Sequence, residues 1–236
     1  VQAVDAGRVV VAQHDRRAGL AQQRDALARR GAVADDVAHA DQVVDAAMPL
    51  LAHSELSVQS STALTLGVLG SPKAAVALQN ILQDNSDGRR LTGGGAVHWL
   101  VRAFAALSLG LIGDKDSVPV LEDTISRLGD KDKDIKVCAI VALGLVSDEE
   151  QKARAAAFLI TLLDDKRMDP LIASYVPTSL GKLGESSAVQ PLLEVFQSRD
   201  SGNLLIESAA VGLGQLAPIE DQDGLEALMD YIKEGK

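Results

Sequence analysis

One phrase recurs along this chain and restricts what it can become. Ala63-Leu64-Thr65-Leu66-Gly67-Val68-Leu69-Gly70 returns as Ala106-Leu107-Ser108-Leu109-Gly110-Leu111-Ile112-Gly113. Shorter versions follow as Val141-Ala142-Leu143-Gly144-Leu145-Val146-Ser147, Thr178-Ser179-Leu180-Gly181-Lys182-Leu183-Gly184 and Val211-Gly212-Leu213-Gly214-Gln215-Leu216-Ala217. With Gly67, Gly110, Gly144, Gly181 and Gly214 aligned, the spacings are 43, 34, 37 and 33 residues. Self-similarity at such a period marks a solenoid, in which each unit packs on its neighbours in sequence.

Each phrase closes an apolar helix. In the segment from Val101 to Ile112, apolar or small residues fill most of the helical circumference, which predicts a helix buried on several sides. Gly113 suits a left-handed cap. Gly110 lies inside the helix, where glycine costs about 1 kcal/mol relative to alanine. Close approach of a neighbouring helix would offset that cost.

A second, more amphipathic helix follows each phrase after a short turn. Ser71-Pro72 opens one with an N-cap and a first-turn proline. Ala74, Ala75, Val76, Leu78, Ile81 and Leu82 then follow helical spacing, with Gln79, Asn80 and Gln83 facing away. The counterparts run from Val118 to Leu128, Ala153 to Leu163, Val189 to Phe196 and Leu225 to Ile232.

The phrase A-L-x-L-G-x-L-G, a polar turn such as Gly113-Asp114-Lys115-Asp116 and a Val-Pro-x-Leu helix together resemble HEAT repeats. The match is nearest to the short HEAT-like class of phycobilisome lyases, and it covers about residues 48 to 234. The resemblance implies an all-α fold, a right-handed α–α superhelix of about five hairpins. It says little of activity, because this fold hosts many.

Net charge is −10 and the sequence pI about 4.8, which argues against nucleic acid as a partner. The excess is compatible with a basic partner or simply with a solvated surface. No apolar run reaches transmembrane length, so no membrane insertion is expected. The first residue is Val rather than Met, which reads as a fragment. Cys138, the one cysteine, lies among apolar residues and reads as a small buried hydrophobe. The compartment stays open, with a soluble cytoplasmic chain the favoured reading.

Residues 1–47 differ in kind. They contain only Val, Ala, Asp, Arg, Gln, His, Gly and Leu. Three readings stand: cap helices from Arg16 to Arg30 and Val33 to Ala47, a low-complexity arm, or a gene-calling artefact. The last arises because codons beginning with G or C encode every residue type present. Met48-Pro49-Leu50-Leu51 reads as the tail of an earlier repeat's second helix, so the array is expected to begin further upstream. The expected organisation is an atypical segment, 1–47, and a repeat domain, 48–236.

The longest spacing contains a polar insertion, Asn85 to Val97. Insertions in repeat arrays map to loops, often on the binding face. Arg89 and Arg90 form a basic spot there, and His98 and Trp99 follow. Arg and Trp are enriched at binding hot spots. The alternative is a surface loop with Trp99 packed on the next helix. Its glycines form no phosphate loop, since no Gly-Lys-Ser/Thr follows them.

His14, His39, His53 and His98 show no metal-ligand spacing. HEAT-like deoxyhypusine hydroxylases resemble this fold and carry repeated His-Glu dipeptides for a di-iron site. None occurs here, and neither metal nor cofactor is expected. Glu122-Asp123, Asp148-Glu149-Glu150 and Asp164-Asp165 fall at helix starts, turns or outward faces, where capping and solvation explain them. No nucleophile–base constellation can be assembled, and no catalytic residue is expected.

The resemblance implies that the second helices line the concave face. A shallow polar ridge there would carry Gln79, Gln83, Glu122, Asp123, Arg127, Gln190, Glu194 and Gln197. The expected function is a non-catalytic scaffold holding a protein or peptide on that ridge. Rigid stacking lowers the ordering cost of such binding. Two other readings remain. One is a bilin lyase-like chromophore attachment protein, which rests on the resemblance alone. The other is a structural array whose upstream part does the recognising.

Overall fold

The computed structural model describes residues 39–198 and 200–216. By its contacts the chain falls into two units, Val1–Val43 and Val44–Lys236, and the second carries the array. The expected helices from Arg16 to Arg30 and Leu225 to Ile232 lie outside the described residues, as does most of that from Val33 to Ala47.

Every regular element among the described residues is helical. Helix α1 spans residues 39–47 and runs into a 3-10 turn, Met48–Ala52, with Pro49 in the turn's first residues. Helical hairpins follow: α2 (Leu56–Val68) with α3 (Ala75–Gln83), then, past the short α4 (Ser86–Leu91), α5 (Trp99–Ile112) with α6 (Ser117–Arg127). Next come α7 (Lys133–Leu143) with α8 (Glu149–Leu163), and, after the single turn α9 (Pro170–Ala173), α10 (Tyr175–Leu183) with α11 (Val189–Gln197). Helix α12 (Asn203–Leu216) opens the next unit. The chain is an all-α solenoid of stacked hairpins, as its repeated phrase predicts.

The first helices α2, α5, α7, α10 and α12 form one layer, each against the next. The second helices α3, α6, α8 and α11 pack against the first helices that follow them. One continuous core joins the layers, built from Leu66, Leu78, Leu109, Leu121, Ile140, Leu159, Leu180 and Leu192 among others.

The aligned glycines explain the spacing of that layer. A Cβ on Gly67 would lie 2.5 Å from Ser108 Cα. On Gly110 it would lie 2.6 Å from Ala142 Cα, on Gly144 2.9 Å from Ser179 Cα, and on Gly181 2.7 Å from Gly212 Cα. Each glycine therefore receives the residue two places before the next glycine in line. Ser108 also donates its hydroxyl to the Ala63 carbonyl at 2.8 Å, a buried bond from one repeat to the one before. The turns after α5 and α10 close on Gly113 (φ 68°) and Gly184 (φ 75°), in the left-handed region that favours glycine.

Two sequence expectations need correction. Helix α8 begins at Glu149, not near Ala153, because Asp148 caps it by accepting from the Gln151 amide at 3.0 Å. The insertion is not a plain loop, since it contains α4. The first helices are buried on several sides, as expected. In α5, α7 and α10 and their closing turns, the glycine and the residues one, two, four and five before it are buried. Those three and six before it, and the one after it, stay half-buried or exposed.

The first helix of the fourth hairpin is broken into α9 and α10. Pro177 has no amide proton to give the Ala173 carbonyl, so the helical ladder fails there and Ser174 sits in a turn. Asp169 caps the broken piece, accepting from the Leu171 amide at 2.8 Å.

Candidate functional site

Two groups of candidate residues came from the sequence, one on the insertion and one on the second helices. The insertion is tied down at several points. Asp84 ends α3 in the left-handed region (φ 52°), a conformation aspartate tolerates better than most residues. Its Oδ1 accepts from Arg89 Nε and from the Val97 amide, both at 2.9 Å, and its Oδ2 accepts from Arg89 Nη2 at 2.9 Å. One carboxylate thus ties Arg89, in the middle of the insertion, to Val97 at its end. The Arg89 guanidinium keeps its carboxyl below the usual aspartate range.

Asn85 caps α4, accepting from the Asp87 and Gly88 amides at 3.1 and 2.9 Å. Its amide nitrogen donates to Asn80 Oδ1 at 2.8 Å and to Gln83 Oε1 at 3.3 Å. Helix α4 then lies against α3 so closely that a Cβ on Gly88 would meet the Asn80 carbonyl. Gln83 therefore serves the insertion and is not an open ridge residue.

Arg89 and Arg90 are not free positive charges. Arg89 is bound to Asp84, and Arg90 reaches Asp87 at 3.1 Å. Both line an open depression of about 630 Å³ with Ser86, Gly93 and Gly94. Trp99 is not part of that lining. It begins α5 with 48% of its surface exposed, its ring 5.5 Å from the His98 ring. His98 caps α5 by accepting from the Leu100 amide at 3.2 Å. The structure thus separates Trp99 from the two arginines by role: the arginines brace a helix, and Trp99 stands at a helix start.

The second-helix residues divide into two clusters. On α6, Asp123 and Arg127 pair at 2.6 Å one turn apart. Glu122, largely covered, takes Arg154 from α8 in a two-pronged contact, Nη2 to Oε2 at 2.6 Å and Nε to Oε1 at 3.1 Å. On α11, Gln190 donates to Glu194 Oε1 at 3.1 Å, and Gln197 is exposed. Gln79 on α3 reaches Ser117 Oγ at 3.5 Å. The ridge is therefore polar and accessible at Asp123, Arg127, Gln190, Glu194 and Gln197, whereas Glu122 links two repeats.

Arg154 escaped sequence reasoning. Its signal is an opposite charge roughly one repeat beyond Glu122. A second omission is larger. The outward rows of the first helices are apolar in the first three repeats: Leu64, Leu107 and Val141 three places before the glycine, and Val68, Leu111 and Leu145 one place after it; Val211 resumes the first row, whereas Thr178, Lys182 and Gln215 break the pattern. Val68 is 71% exposed, Leu111 44% and Val211 51%. The first three phrases held this signal, because the positions three before and one after the glycine stay apolar there where burial does not require it.

No cluster of His, Cys, Asp and Glu among the described residues could hold a metal ion. No helix among them is long and apolar enough to cross a membrane. Burial pushes the Cys138 thiol up to about 11, with the nearby Asp134 carboxylate adding to the shift, so little thiolate forms near neutral pH.

The architecture and the site define a repeat protein built from stacked helical hairpins. Residues 95–174 match the family model for HEAT repeats. No curated protein matches the chain in sequence. Among solved structures it is similar to human deoxyhypusine hydroxylase in complex with glycerol, at 18% identity. That likeness covers 79% of this chain and 76% of the other, with a TM-score of 0.35, too loose a superposition to carry an argument.

Proposed function

We propose that this chain is a non-catalytic scaffold that holds a protein or peptide on the exposed face of its second helices. The supporting observation is how those side chains are mounted. Asp123 and Arg127 on α6, and Gln190, Glu194 and Gln197 on α11, stand on helices whose inner faces lock into one core. The Glu122–Arg154 bridge further fixes α6 against α8. Side chains mounted this way lose less freedom on binding than the same groups on a mobile loop. HEAT repeats in general act as protein-binding scaffolds, which agrees with this reading.

The test is affinity capture from host lysate with the full chain, comparing the parent with Asp123→Lys/Gln190→Lys/Glu194→Lys. Glu122 is left intact because reversing it would set a lysine against Arg154. A partner held by the parent and lost by the variant, with equal helicity, supports the ridge. Equal capture by both refutes it.

A further inference from the structure

The first-helix layer leaves an apolar surface that the scaffold reading does not use. Three rows of side chains face outward, placed six and three residues before the aligned glycine and one after it. They include Phe104, Leu107 and Leu111 on α5, Cys138, Val141 and Leu145 in the third repeat, and Tyr175 on α10. Val68 continues the last row on α2, and Val211 continues the middle row on α12. Lys182 is the one charged residue in the three rows, and Ser61, Thr178, Ser208 and Gln215 are polar, so the apolar surface centres on the middle repeats. A solvated helix face normally carries charge at such positions. Val68, Leu111, Tyr175 and Val211 are exposed and the others half-buried, with Phe104 and Cys138 packed on the core; apolar surface left open in this way marks a contact site.

The border of this face is acidic in balance, although Lys115 lies between Asp114 and Asp116 and the turn beside Val68 carries Lys73. The turns beside Leu111 and Leu145 carry Asp114, Asp116, Asp148, Glu149, Glu150 and, one repeat on, Glu185. Lys152 neutralises Glu149 at 2.7 Å. Among the described residues, no lysine or arginine forms an ion pair with Asp114, Asp116, Glu150 or Glu185. Asp148 spends its carboxylate on the α8 cap.

From this juxtaposition we infer that the first-helix face docks an amphipathic helix of a partner protein, its apolar stripe lying along Val68, Leu111 and Leu145 and its flanking lysines or arginines meeting the turn carboxylates. Apolar residues give such a helix its anchor, and the turn carboxylates favour lysines or arginines beside its stripe. A second copy of this chain fits less well, because it would bring the same acidic border against its own. The inference rests on the scaffold reading but places a partner on the opposite layer. The two are therefore tested with separate variants.

The probe is a fluorescently labelled synthetic peptide built from leucine and lysine in helical register. A second peptide has the same composition with the leucines scattered round the helix. Anisotropy titrations use the full chain. The expected result is saturable binding of the first peptide and about tenfold or more weaker binding of the second. Val68→Ser/Leu111→Ser should weaken the first peptide by about tenfold or more, the loss from removing two exposed anchors. Asp114→Asn/Asp116→Asn should weaken it further as salt is lowered, where the parent gains most. These positions are exposed or half-buried, so circular dichroism should match the parent.

Equal binding of both peptides would reduce the effect to charge attraction and overturn the inference. So would parent-like binding by Val68→Ser/Leu111→Ser. Self-association broken by that variant, without peptide binding, would assign the face to a second copy and overturn it as well. Loss of lysate capture by the second-helix variants leaves all of these readouts unmoved.

Discussion

Placing a methyl group on Gly110 tests whether the aligned glycines set the spacing of the first helices. The new Cβ would lie 2.6 Å from Ala142 Cα and 2.8 Å from Ala142 Cβ. Carbon atoms normally settle at about 3.5–4.0 Å. Helices α5 and α7 must therefore part by roughly 1 Å at this point, since the atoms in the way are backbone and Cβ and cannot swing aside. Overpacking of this kind costs about 1–3 kcal/mol, and an unyielding contact belongs in the upper half of that range. Against it stands the helix-propensity gain of alanine over glycine, about 1 kcal/mol. The net expectation for Gly110→Ala is a loss of about 1–2 kcal/mol. At about 2–4 °C per kcal/mol for a chain of this size, Tm should fall by roughly 2–8 °C.

Gly214 supplies an internal comparison. It lies in α12, is exposed, and has no described residue within 4 Å of a built Cβ. Gly214→Ala should therefore keep the propensity gain and raise Tm slightly. The assay is thermal and urea unfolding followed by far-UV circular dichroism. A Gly110→Ala variant at least as stable as the parent would refute the close-packing argument. Equal responses at Gly110 and Gly214 would do the same.

Further predictions follow from individual contacts. Removing the α8 cap with Asp148→Ala should cost about 1 kcal/mol, read as a lower urea midpoint. The Glu122–Arg154 bridge, half-open to water at Arg154, should show a coupling of about 0.5–1 kcal/mol in a double-mutant cycle. Asp84 titrates below the ordinary aspartate range in the folded chain, chiefly because of Arg89, so its stabilisation of the insertion is present above about pH 4 and is lost as pH falls through its lowered folded value. Hydrogen exchange at the Val97 amide should show a parent-over-Asp84→Asn protection that is flat above about pH 4 and shrinks below it. A difference independent of pH would contradict this. Cys138, its thiol pushed up to about 11 from an ordinary value of 9.0, should react with a thiolate-selective reagent about 100-fold more slowly in the folded chain than in denaturant.

The sequence by itself determined the architecture. Five phased phrases demanded stacked hairpins, because an apolar helix of this kind can be buried only by another of its kind. Ser71 and Gly113 marked a helix start and a helix end through capping chemistry local to the chain, and both stand where expected. Gly110 announced a close helix contact, although the residue received there, Ala142, becomes visible only when the repeats are superposed in space.

The tertiary structure alone decided how the candidate side chains are used. Arg89 looked like an exposed positive charge until Asp84, in a left-handed turn, was seen to grip it. Glu122 looked like a free ridge residue until α8 brought Arg154 across from the next repeat. In each case a sequence pattern gives charge and helical face, whereas the partner comes from another helix or across a turn. The outward apolar rows fall between these cases. Most of their residues were legible in the first three phrases, but only the stacking shows that α5, α7 and α10 bury the glycine side and leave Leu111, Val141 and Tyr175 exposed or half-buried. Periodicity records which residues share a stripe, and packing decides which stripes the neighbours cover.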